Sequence, residues 1–242
     1  MAKKNIINNV FKSLCKCPDS LIRLLAHSLI VVFLFIGVSP SFSQQYNLRN
    51  YSVSEGLAQS QVFSIVEDAQ GFIWMGTRGG GISRFDGLQF KNYSSKDGLI
   101  NDYIYDLKTD KRGNLWIATN SGVSRFDGKK FKNFKLGNDS LNIAVYEMCF
   151  DRDSNLWLAA DKNLYRIKNE KMICFSCENK INFNILSTVL IDHNNTLWAG
   201  DDNGLNKVIF TNNERTKGKI KTFAQMEGLK NIHVRSLYVR CL

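Results

Sequence analysis

Proline and histidine are scarce in this sequence. Its 242 residues include two prolines, and no proline follows Pro40. A proline within a strand removes one backbone hydrogen-bond donor from the ladder. Since no proline follows Pro40, no strand in the rest of the chain loses a donor in this way. Of the three histidines, only His193 and His233 lie beyond residue 43. General acid–base catalysis needs histidines or paired carboxylates that converge, and these two histidines occur in no such pattern. We therefore predict no catalytic residue.

A strong one-sided distribution of charge is also missing. The net charge of +10 arises from 32 basic and 22 acidic residues, and residues 1–43 hold five of the basic ones against one acid. In the remaining chain the basic residues are interspersed with Asp and Glu, whereas nucleic-acid binders gather them into a stripe or arm. The sequence therefore predicts a solvated globular surface and no nucleic-acid partner.

Residues 1–43 have the three parts of a secretory signal peptide. Basic residues precede the apolar stretch Leu24–Val38, and the small residues Ser41 and Ser43 follow it. A membrane span needs roughly 20 apolar residues, so this stretch is short for one, although an uncleaved anchor is the alternative. Either interpretation predicts that residues 44–242 are exported.

Four cysteines lie beyond this leader, and their states are left open by the sequence: Cys149, Cys174, Cys177 and Cys241. The spacing of Cys174 and Cys177 is typical of a redox site or of half a zinc site, but zinc needs a second pair of ligands. The pattern favours a buried strand residue at Cys174 beside a loop thiol, with a disulfide as the alternative. We predict no metal and no cofactor.

All four tryptophans occupy one repeating position, Trp74, Trp116, Trp157 and Trp198, with spacings of 42, 41 and 41 residues. A period of about 40 to 45 residues with strand-like segments is typical of β-propeller blades. Each unit begins with a segment rich in β-branched and aromatic residues, and these segments are 62–66, 103–107, 144–150 and 188–191. Each Trp strand ends in a small residue, which suits crowding between blades.

The turns of each unit have recognisable sequences. An Asp-x-x-Gly turn precedes the Trp strand, with its glycine at Gly71 and Gly113 in the first two units. Asp can bind the following backbone, and Gly accepts a positive φ. Between the third and fourth strands, Asp86-Gly87 and Asp127-Gly128 favour two-residue type I′ hairpins. Each unit is thus predicted to contain four strands.

Both ends of the repeat array predict an incomplete ring. Leu48–Leu57 repeats the spacing of the fourth strand and following Gly-Leu in Phe90–Leu99, so we expect a lone fourth strand before the first unit. Residues 235–242 begin a fifth unit and stop before its Trp. We predict an all-β fold in which residues 44–242 form a partial propeller: four four-stranded blades, an orphan N-terminal strand and a truncated fifth unit.

The repeat resembles that of the two-component regulator propeller family, most clearly over residues 110–134 and more loosely across about residues 46–240. The resemblance implies the N-terminal fragment of a periplasmic ectodomain that senses an oligosaccharide or another small ligand. It implies a membrane kinase module further along the parent protein, and it is compatible with a homodimer. It implies no kinase activity for these residues themselves.

The repeats suggest few binding residues. Sugars stack on aromatic rings, but a tryptophan that recurs in every unit favours a structural role. Arg78 breaks the repeat in the glycine-rich turn of the first unit and is the candidate ligand-binding residue, with a solvated turn arginine as the alternative. An exported scaffold for protein interaction or adhesion is the alternative function. A propeller lyase is the least favoured.

Overall fold

The computed structural model describes residues 48–137, 142–223 and 233–238. The predicted leader in residues 1–43, Gly228-Leu229 and Cys241 lie outside these ranges. None of the helices in the described ranges is long and apolar enough to cross a bilayer.

The described ranges contain sixteen strands in four antiparallel sheets of four, and in every sheet the strands follow chain order. Blade 1 contains β1 to β4, which are Val62–Glu67, Ile73–Thr77, Ile82–Phe85 and Phe90–Tyr93. Blade 2 contains β5 to β8, which are Ile104–Thr109, Leu115–Thr119, Gly122–Phe126 and Phe131–Phe134. Blade 3 contains β9 to β12, which are Val145–Phe150, Leu156–Ala160, Asn163–Lys168 and Lys171–Cys174. Blade 4 contains β13 to β16, which are Thr188–Ile191, Leu197–Asp201, Gly204–Phe210 and Gly218–Phe223.

Among the residues that the structure describes, helix is confined to three single turns. Two are 3₁₀ helices, Val53–Glu55 and Ser95–Asp97, and the third is the α-helix α1, Phe175–Glu178. The predicted all-β fold with four four-stranded blades is confirmed.

The first strands of successive blades pack against one another, β1 on β5, β5 on β9 and β9 on β13. They are therefore the inner strands of an arc, and the fourth strands form its outer edges. The apolar core lies between neighbouring blades: Trp74 packs in one cluster with Ile104 and Leu107 of the next blade. Corresponding clusters fill the two following boundaries. Burial between blades explains why the same apolar positions recur in each unit.

One aspartate in each blade fixes both a turn and a tryptophan. In blade 2, Asp110 Oδ1 accepts the backbone N–H groups of Arg112 and Asn114, each at 2.9 Å. Its Oδ2 accepts the indole N–H of Trp116 at 2.9 Å. The aspartate–indole bond recurs in every blade at 2.7 to 3.1 Å: Asp68–Trp74, Asp110–Trp116, Asp151–Trp157 and Asp192–Trp198. The repeated tryptophans are thus tied to the turns that precede their strands.

Small residues allow the inner ends of the blades to approach closely. A Cβ added to Gly76 at the end of β2 would lie 2.6 Å from Ile104 Cγ2 in the next blade. At the corresponding place in blade 4, a Cβ on Gly200 would lie 2.5 Å from Val234 Cγ1. Val234 therefore occupies the place of Ile104, which means that the segment after blade 4 begins to pack as a further first strand does.

The segments that lead into blades 1 and 2 are held by the same set of hydrogen bonds. Ser94 and Asp97 form a capping box around one 3₁₀ helix, which ends at Gly98 with φ 103°. Asn133 Nδ2 donates to Gly98 O at 3.0 Å, and Asn133 Oδ1 accepts from Ser124 Oγ at 2.6 Å. The segment before blade 1 repeats these contacts: the box at Ser52 and Glu55, then Gly56 with φ 106°, then a bond of 2.9 Å from Asn92 Nδ2 to Gly56 O. We call this set of contacts the junction.

Two expectations about the chain ends differ from the structure. Residues 48–52, predicted as an orphan strand, form no strand, because no third strand of their own blade lies among the described residues to pair with them. Tyr51 nevertheless packs on Phe85 and Phe90, with ring centroids 4.9 and 5.7 Å apart. Residues 233–238, the described part of the predicted fifth unit, also form no strand.

The Asp-Gly hairpins also differ from the predicted type I′ turn. Asp86 does not adopt a positive φ, whereas Gly87 does, with φ 97°. The Asp86 carboxylate instead accepts the backbone N–H groups of Leu88 and Gln89, at 2.9 and 2.8 Å. Asp127 and Gly128 repeat the arrangement. The turn is therefore centred one residue later than expected, with Gly87 and Leu88 between Asp86, whose N–H donates to Gln89 O at 3.3 Å, and Gln89.

Candidate ligand-binding site at the inner strands

Four polar residues lie at equivalent positions of the inner strands, each ten places before the tryptophan of its blade: Ser64, Asp106, Glu147 and Thr188. We call them the inner belt. Each of the first three accepts a backbone N–H from the inner strand of the next blade. The donors are Leu107 to Ser64 Oγ at 3.0 Å, Met148 to Asp106 Oδ2 at 3.0 Å, and Val189 to Glu147 Oε2 at 3.1 Å. The inner belt therefore links the blades side chain to backbone.

Burial changes the acidity of both belt carboxylates. Desolvation raises the pKa of Asp106, although Lys108, with its Nζ 3.2 Å from Oδ1, opposes that rise. Desolvation also raises the pKa of Glu147, against the hydrogen bonds from Thr188 and Val189. The negative charge of Asp106 raises it further. The two carboxylates are thus close enough to influence each other.

An aromatic residue precedes the belt residue in each of the first three blades, Phe63, Tyr105 and Tyr146. In all three inner strands the register with the second strand shifts at this residue, as in a β-bulge. A bulge inserts an unpaired residue and re-aims its side chain, and bulges are common beside active sites. The bulge therefore sets these rings apart from the regular alternation of the strand.

The bulged rings stack in order across three blades. The Phe63 and Tyr105 rings are nearly parallel, at 14° with centroids 6.4 Å apart, and Tyr105 meets Tyr146 edge-on at 5.2 Å. Tyr103 joins them, 5.4 Å from Tyr105 and 6.2 Å from Phe63. We call these four residues the aromatic arc. Phe63 is 49% exposed, so the arc offers a ring face to solvent.

The candidate Arg78 lies against this arc. Its guanidinium carbon is 5.2 Å from the Tyr103 ring centroid and 5.9 Å from that of Phe63, and its Nε contacts the Tyr103 hydroxyl. The backbone of Arg78 bridges to Tyr103 and donates to Gln61 O at 3.0 Å. The turn is thus fixed to the next blade. This attachment holds the exposed guanidinium of Arg78 beside the rings.

The surroundings of Tyr105 make its hydroxyl less acidic than an ordinary tyrosine hydroxyl. Burial raises the pKa of Tyr105, and the neighbouring Tyr146 raises it further, while the positive charge of Arg78 lowers it. The Tyr105 hydroxyl donates to Asn120 Oδ1 at 3.3 Å. Asn120 occupies in blade 2 the place that Arg78 has in blade 1. This end of the inner strands therefore combines ring faces with hydrogen-bond donors and acceptors.

The corresponding positions of blade 4 carry a different pair. Asp202 stands where Arg78 stands in blade 1, and His233 stands where Tyr103 stands before blade 2. His233 Nδ1 lies 2.7 Å from Asp202 Oδ1. The other histidine, His193, lies exposed in the turn before β14. In the described ranges, no group of three or more His, Cys, Asp or Glu is placed to hold a metal ion.

The tryptophans and the repeated arginines lie away from this arrangement. Trp74, Trp116 and Trp157 are buried between blades, and each carries a basic side chain over its ring. The four such pairs, at 5.6 to 5.9 Å, are Arg84–Trp74, Arg125–Trp116, Arg166–Trp157 and Lys207–Trp198. Both groups therefore have packing partners of their own, which is what their repetition suggested.

Sequence reasoning missed the aromatic arc, although a signal was present. Phe63, Tyr105 and Tyr146 align eleven residues before the tryptophans of their units. Aromatic residues are also typical of ordinary strands, so the sequence alone does not mark these three as a site. Aligning the units shows an aromatic residue next to a polar one at three inner strands. That the rings are bulged, and that Arg78 lies on them, depends on pairing between strands and is visible only in the structure.

Two segments match the family model described as two component regulator propeller, residues 56–79 and 98–121. Each matched segment runs from the glycine of a junction through the inner strand to the turn after the Trp strand. The resemblance inferred from the sequence is therefore confirmed for the first two repeats. No curated protein matches the chain significantly in sequence.

Solved structures with the same fold include extracellular domains from B. thetaiotaomicron. One, assigned to a hybrid two component system, is 24% identical with a TM-score of 0.57, and the match covers 65% of this chain and 23% of that one. Another such domain is 17% identical with a TM-score of 0.60, covering 78% and 24%. This chain thus spans about a quarter of their length. Virginiamycin B lyase from Staphylococcus aureus is 16% identical with a TM-score of 0.52, covering 67% and 55%.

Proposed function

Because the chain carries two-component regulator propeller repeats, we propose that it belongs to the ligand-sensing ectodomain of an exported two-component signalling protein. We further propose that the aromatic arc and Arg78 bind an oligosaccharide. The observation that carries this proposal is the set of three bulged aromatic residues, stacked across three blades beside a fixed arginine.

The chemistry of the arc suits a carbohydrate. The C–H faces of a sugar ring are apolar and pack on aromatic faces, and the partly exposed ring of Phe63 offers such a face. Sugar hydroxyls both donate and accept, and the tyrosine hydroxyls and Asn120 match both roles. Arg78 adds a cation that can pair with a carboxylate or sulfate on the sugar. A rigid sheet scaffold holds these groups in place, as binding sites require.

The wider role rests on similarity of repeat and fold. The matched repeats support a sensor domain, and the fold is shared with extracellular domains assigned to two component systems. The leader-like residues 1–43 support export. The membrane kinase module and the periplasmic location belong to this proposal, as does the assignment of an oligosaccharide as the ligand.

Ligand binding can be tested directly on the exported chain. A glycan array containing neutral, uronate-containing and sulfated oligosaccharides would identify binders, and titration calorimetry would give their affinities. We expect Phe63→Ala and Tyr105→Ala to weaken binding at least tenfold, on the scale of the about 1–3 kcal/mol that a nucleobase gains by stacking on an aromatic side chain. Arg78→Ala should weaken binding of acidic sugars more than that of neutral ones.

Two exposed residues provide matched controls. Leu88 is 91% exposed on the outer hairpin of blade 1, and Arg112 lies in the exposed turn of blade 2. Leu88→Ala and Arg112→Ala should leave every affinity unchanged. Equal losses in control and arc variants, with all proteins folded, would contradict the placement of the site. Sugar binding that survives both arc substitutions and Arg78→Ala would do so as well.

A lyase is a second candidate because one pair of residues favours it. His233 and Asp202 are hydrogen-bonded at the same end of the inner strands, and a histidine held by a carboxylate is a common general base. Mass spectrometry of each bound sugar after prolonged incubation tests this function. An unchanged ligand mass supports binding alone, whereas turnover abolished by His233→Ala would establish the lyase.

A further inference from the structure

The Cys174–Cys177 pair forms a disulfide, with the Cα atoms 5.3 Å apart. This resolves the alternatives left by the sequence, in which a buried strand cysteine beside a free loop thiol was favoured. Cys174 ends β12, and Cys177 lies within α1. The bond closes a loop with a sequence separation of only three, and a disulfide restricts the unfolded chain less when its loop is short. The first two blades reach the next blade without such a bond, so its value as a structural link is small.

The two sulfur atoms have different surroundings. Cys177 is exposed to solvent, whereas Cys174 is half-buried opposite Tyr165 in the sheet. The backbone N–H of Cys177 points at Cys174 Sγ from 3.3 Å, and Ser176 Oγ lies 3.6 Å from the same sulfur. The N–H of Cys177 can donate to a thiolate at Cys174 and stabilise it, whereas the Ser176 hydroxyl donates to Asn163 Oδ1 at 2.9 Å. Cys177 is thus the sulfur that a solvent nucleophile can reach, and Cys174 is the better leaving group.

The disulfide encloses a residue of the core. Phe175 is fully buried at the boundary between blades 3 and 4, with its ring centroid 5.3 Å from Trp157 and 5.7 Å from Phe210. Just after α1, Asn179 Nδ2 donates to Phe175 O at 2.8 Å and to Thr216 O of the blade 4 outer hairpin at 3.0 Å. The loop between the two cysteines is therefore anchored to two blades at once.

We propose that Cys174–Cys177 is a thiol–disulfide exchange site for dithiol reductants, with Cys177 as the attacked sulfur. A thiolate of the reductant forms a bond to Cys177 Sγ, the Cys174–Cys177 bond breaks, and Cys174 leaves with the electron pair and takes up a proton. The second thiol of the reductant then attacks its own sulfur in the mixed disulfide and releases Cys177, which is also protonated. The reductant becomes a disulfide, and two electrons and two protons pass to the protein.

The wild-type chain provides the first test. The folded protein is incubated with dithiothreitol at increasing concentrations, its thiols are trapped with iodoacetamide, and the labelled peptides are identified by mass spectrometry. We expect two labels on the peptide that holds Cys174 and Cys177 at concentrations that leave the tryptophan fluorescence of the folded state unchanged. Cys149 is an internal reference, since burial raises the pKa of its thiol, and it should stay unlabelled. Labelling of the pair only in denaturant would overturn the proposal.

Two single-cysteine variants then test which sulfur is attacked. Cys174→Ser leaves the exposed Cys177, and Cys177→Ser leaves the half-buried Cys174. The remaining cysteine of each variant is first converted to its mixed disulfide with glutathione, and dithiothreitol should then release glutathione from Cys174→Ser at least tenfold faster than from Cys177→Ser. Equal rates, or a faster reaction of Cys177→Ser, would contradict the assignment. If either variant fails to fold, the extent of labelling in the wild-type chain still decides whether the pair exchanges.

Discussion

The backbone N–H of Met148 donates to Asp106 Oδ2 at 3.0 Å, across the boundary between blades 2 and 3. A carboxylate of one inner strand is thereby the acceptor for the next inner strand. Asp106 is buried there, so its charge is costly even with Lys108 beside it. The contact between these two blades is therefore sensitive to the protonation of one side chain.

Stability should respond to pH through Asp106. Desolvation raises the pKa of Asp106 in the folded protein, so the folded state binds the proton more tightly than the unfolded state. The contribution of Asp106 to the free energy of unfolding is fully present below the ordinary aspartate pKa of about 3.9. It is lost as the pH rises through the raised pKa that Asp106 has in the folded protein. Urea unfolding at several pH values should show that the stability of the wild type relative to Asp106→Asn falls with rising pH across this window.

Asp86 provides a control of opposite sign. Backbone N–H groups of Gln89 and Leu88 lower the pKa of Asp86, so its contribution is present above the ordinary pKa and is lost as the pH falls through the folded value. The stability of the wild type relative to Asp86→Asn should therefore rise with pH. The assignment of Asp106 would be wrong if both comparisons had the same slope.

The aspartate of each turn should contribute more to stability than the indole bond it accepts. Trp116→Phe removes one donor to Asp110 and should cost about 1 kcal/mol beyond the loss of ring volume. Asp110→Ala leaves Arg112, Asn114 and Trp116 without their acceptor and should cost about 1–3 kcal/mol. Chemical unfolding of the two single variants and the double variant measures both effects. Strict additivity would show that the two residues do not interact.

The space between blades 1 and 2 should not accept one additional methyl group. Gly76→Ala would place its Cβ 2.6 Å from Ile104 Cγ2, and overpacking of this kind typically costs about 1–3 kcal/mol. Ile104→Ala removes the opposing atom, so Gly76→Ala should cost less in that background. Thermal unfolding of the four proteins of this cycle measures the coupling. An equal cost in both backgrounds would exclude the steric explanation.

The junction asparagines should be equivalent in blades 1 and 2. Asn92→Ala and Asn133→Ala each remove a bond to a linker carbonyl, that of Gly56 or Gly98. Each substitution should cost about 1 kcal/mol, the usual net value of one hydrogen bond. If the two junctions stabilise the fold in the same way, denaturant unfolding should show the same decrease in the free energy of unfolding for both variants. A loss at only one site would mean that the other junction is held by different contacts.

The sequence predicted the features that are local and repeated. Strands, their turns and the tryptophan period were found because each blade buries the same positions, so the pattern appears four times. Features that depend on how one strand pairs with another were not predicted. The bulge at Tyr105 follows from the register between β5 and β6, and a single strand sequence does not specify its partner's register. Residues 48–52, predicted as a lone fourth strand, form no strand because a strand needs a neighbour to pair with.

The candidate site was predicted only at Arg78. Its departure from the repeat was visible in the sequence, but its position over Tyr103 arises from a backbone bridge between blades. The cysteine pair was ambiguous for a related reason. The spacing of Cys174 and Cys177 fits a free pair, a zinc half-site or a disulfide, and only the backbone geometry at the end of β12 distinguishes them.

The junctions have a consequence for how such genes can change. Gly56 and Gly98 are 42 residues apart, and each meets the same asparagine and serine contacts in the blade that follows. Unequal crossing-over between the corresponding codons would add or remove one whole blade. Because these two junctions are contacted in the same way, a chain recombined between them would bring together surfaces that already fit. Blade number can therefore vary between descendants without the invention of a new interface.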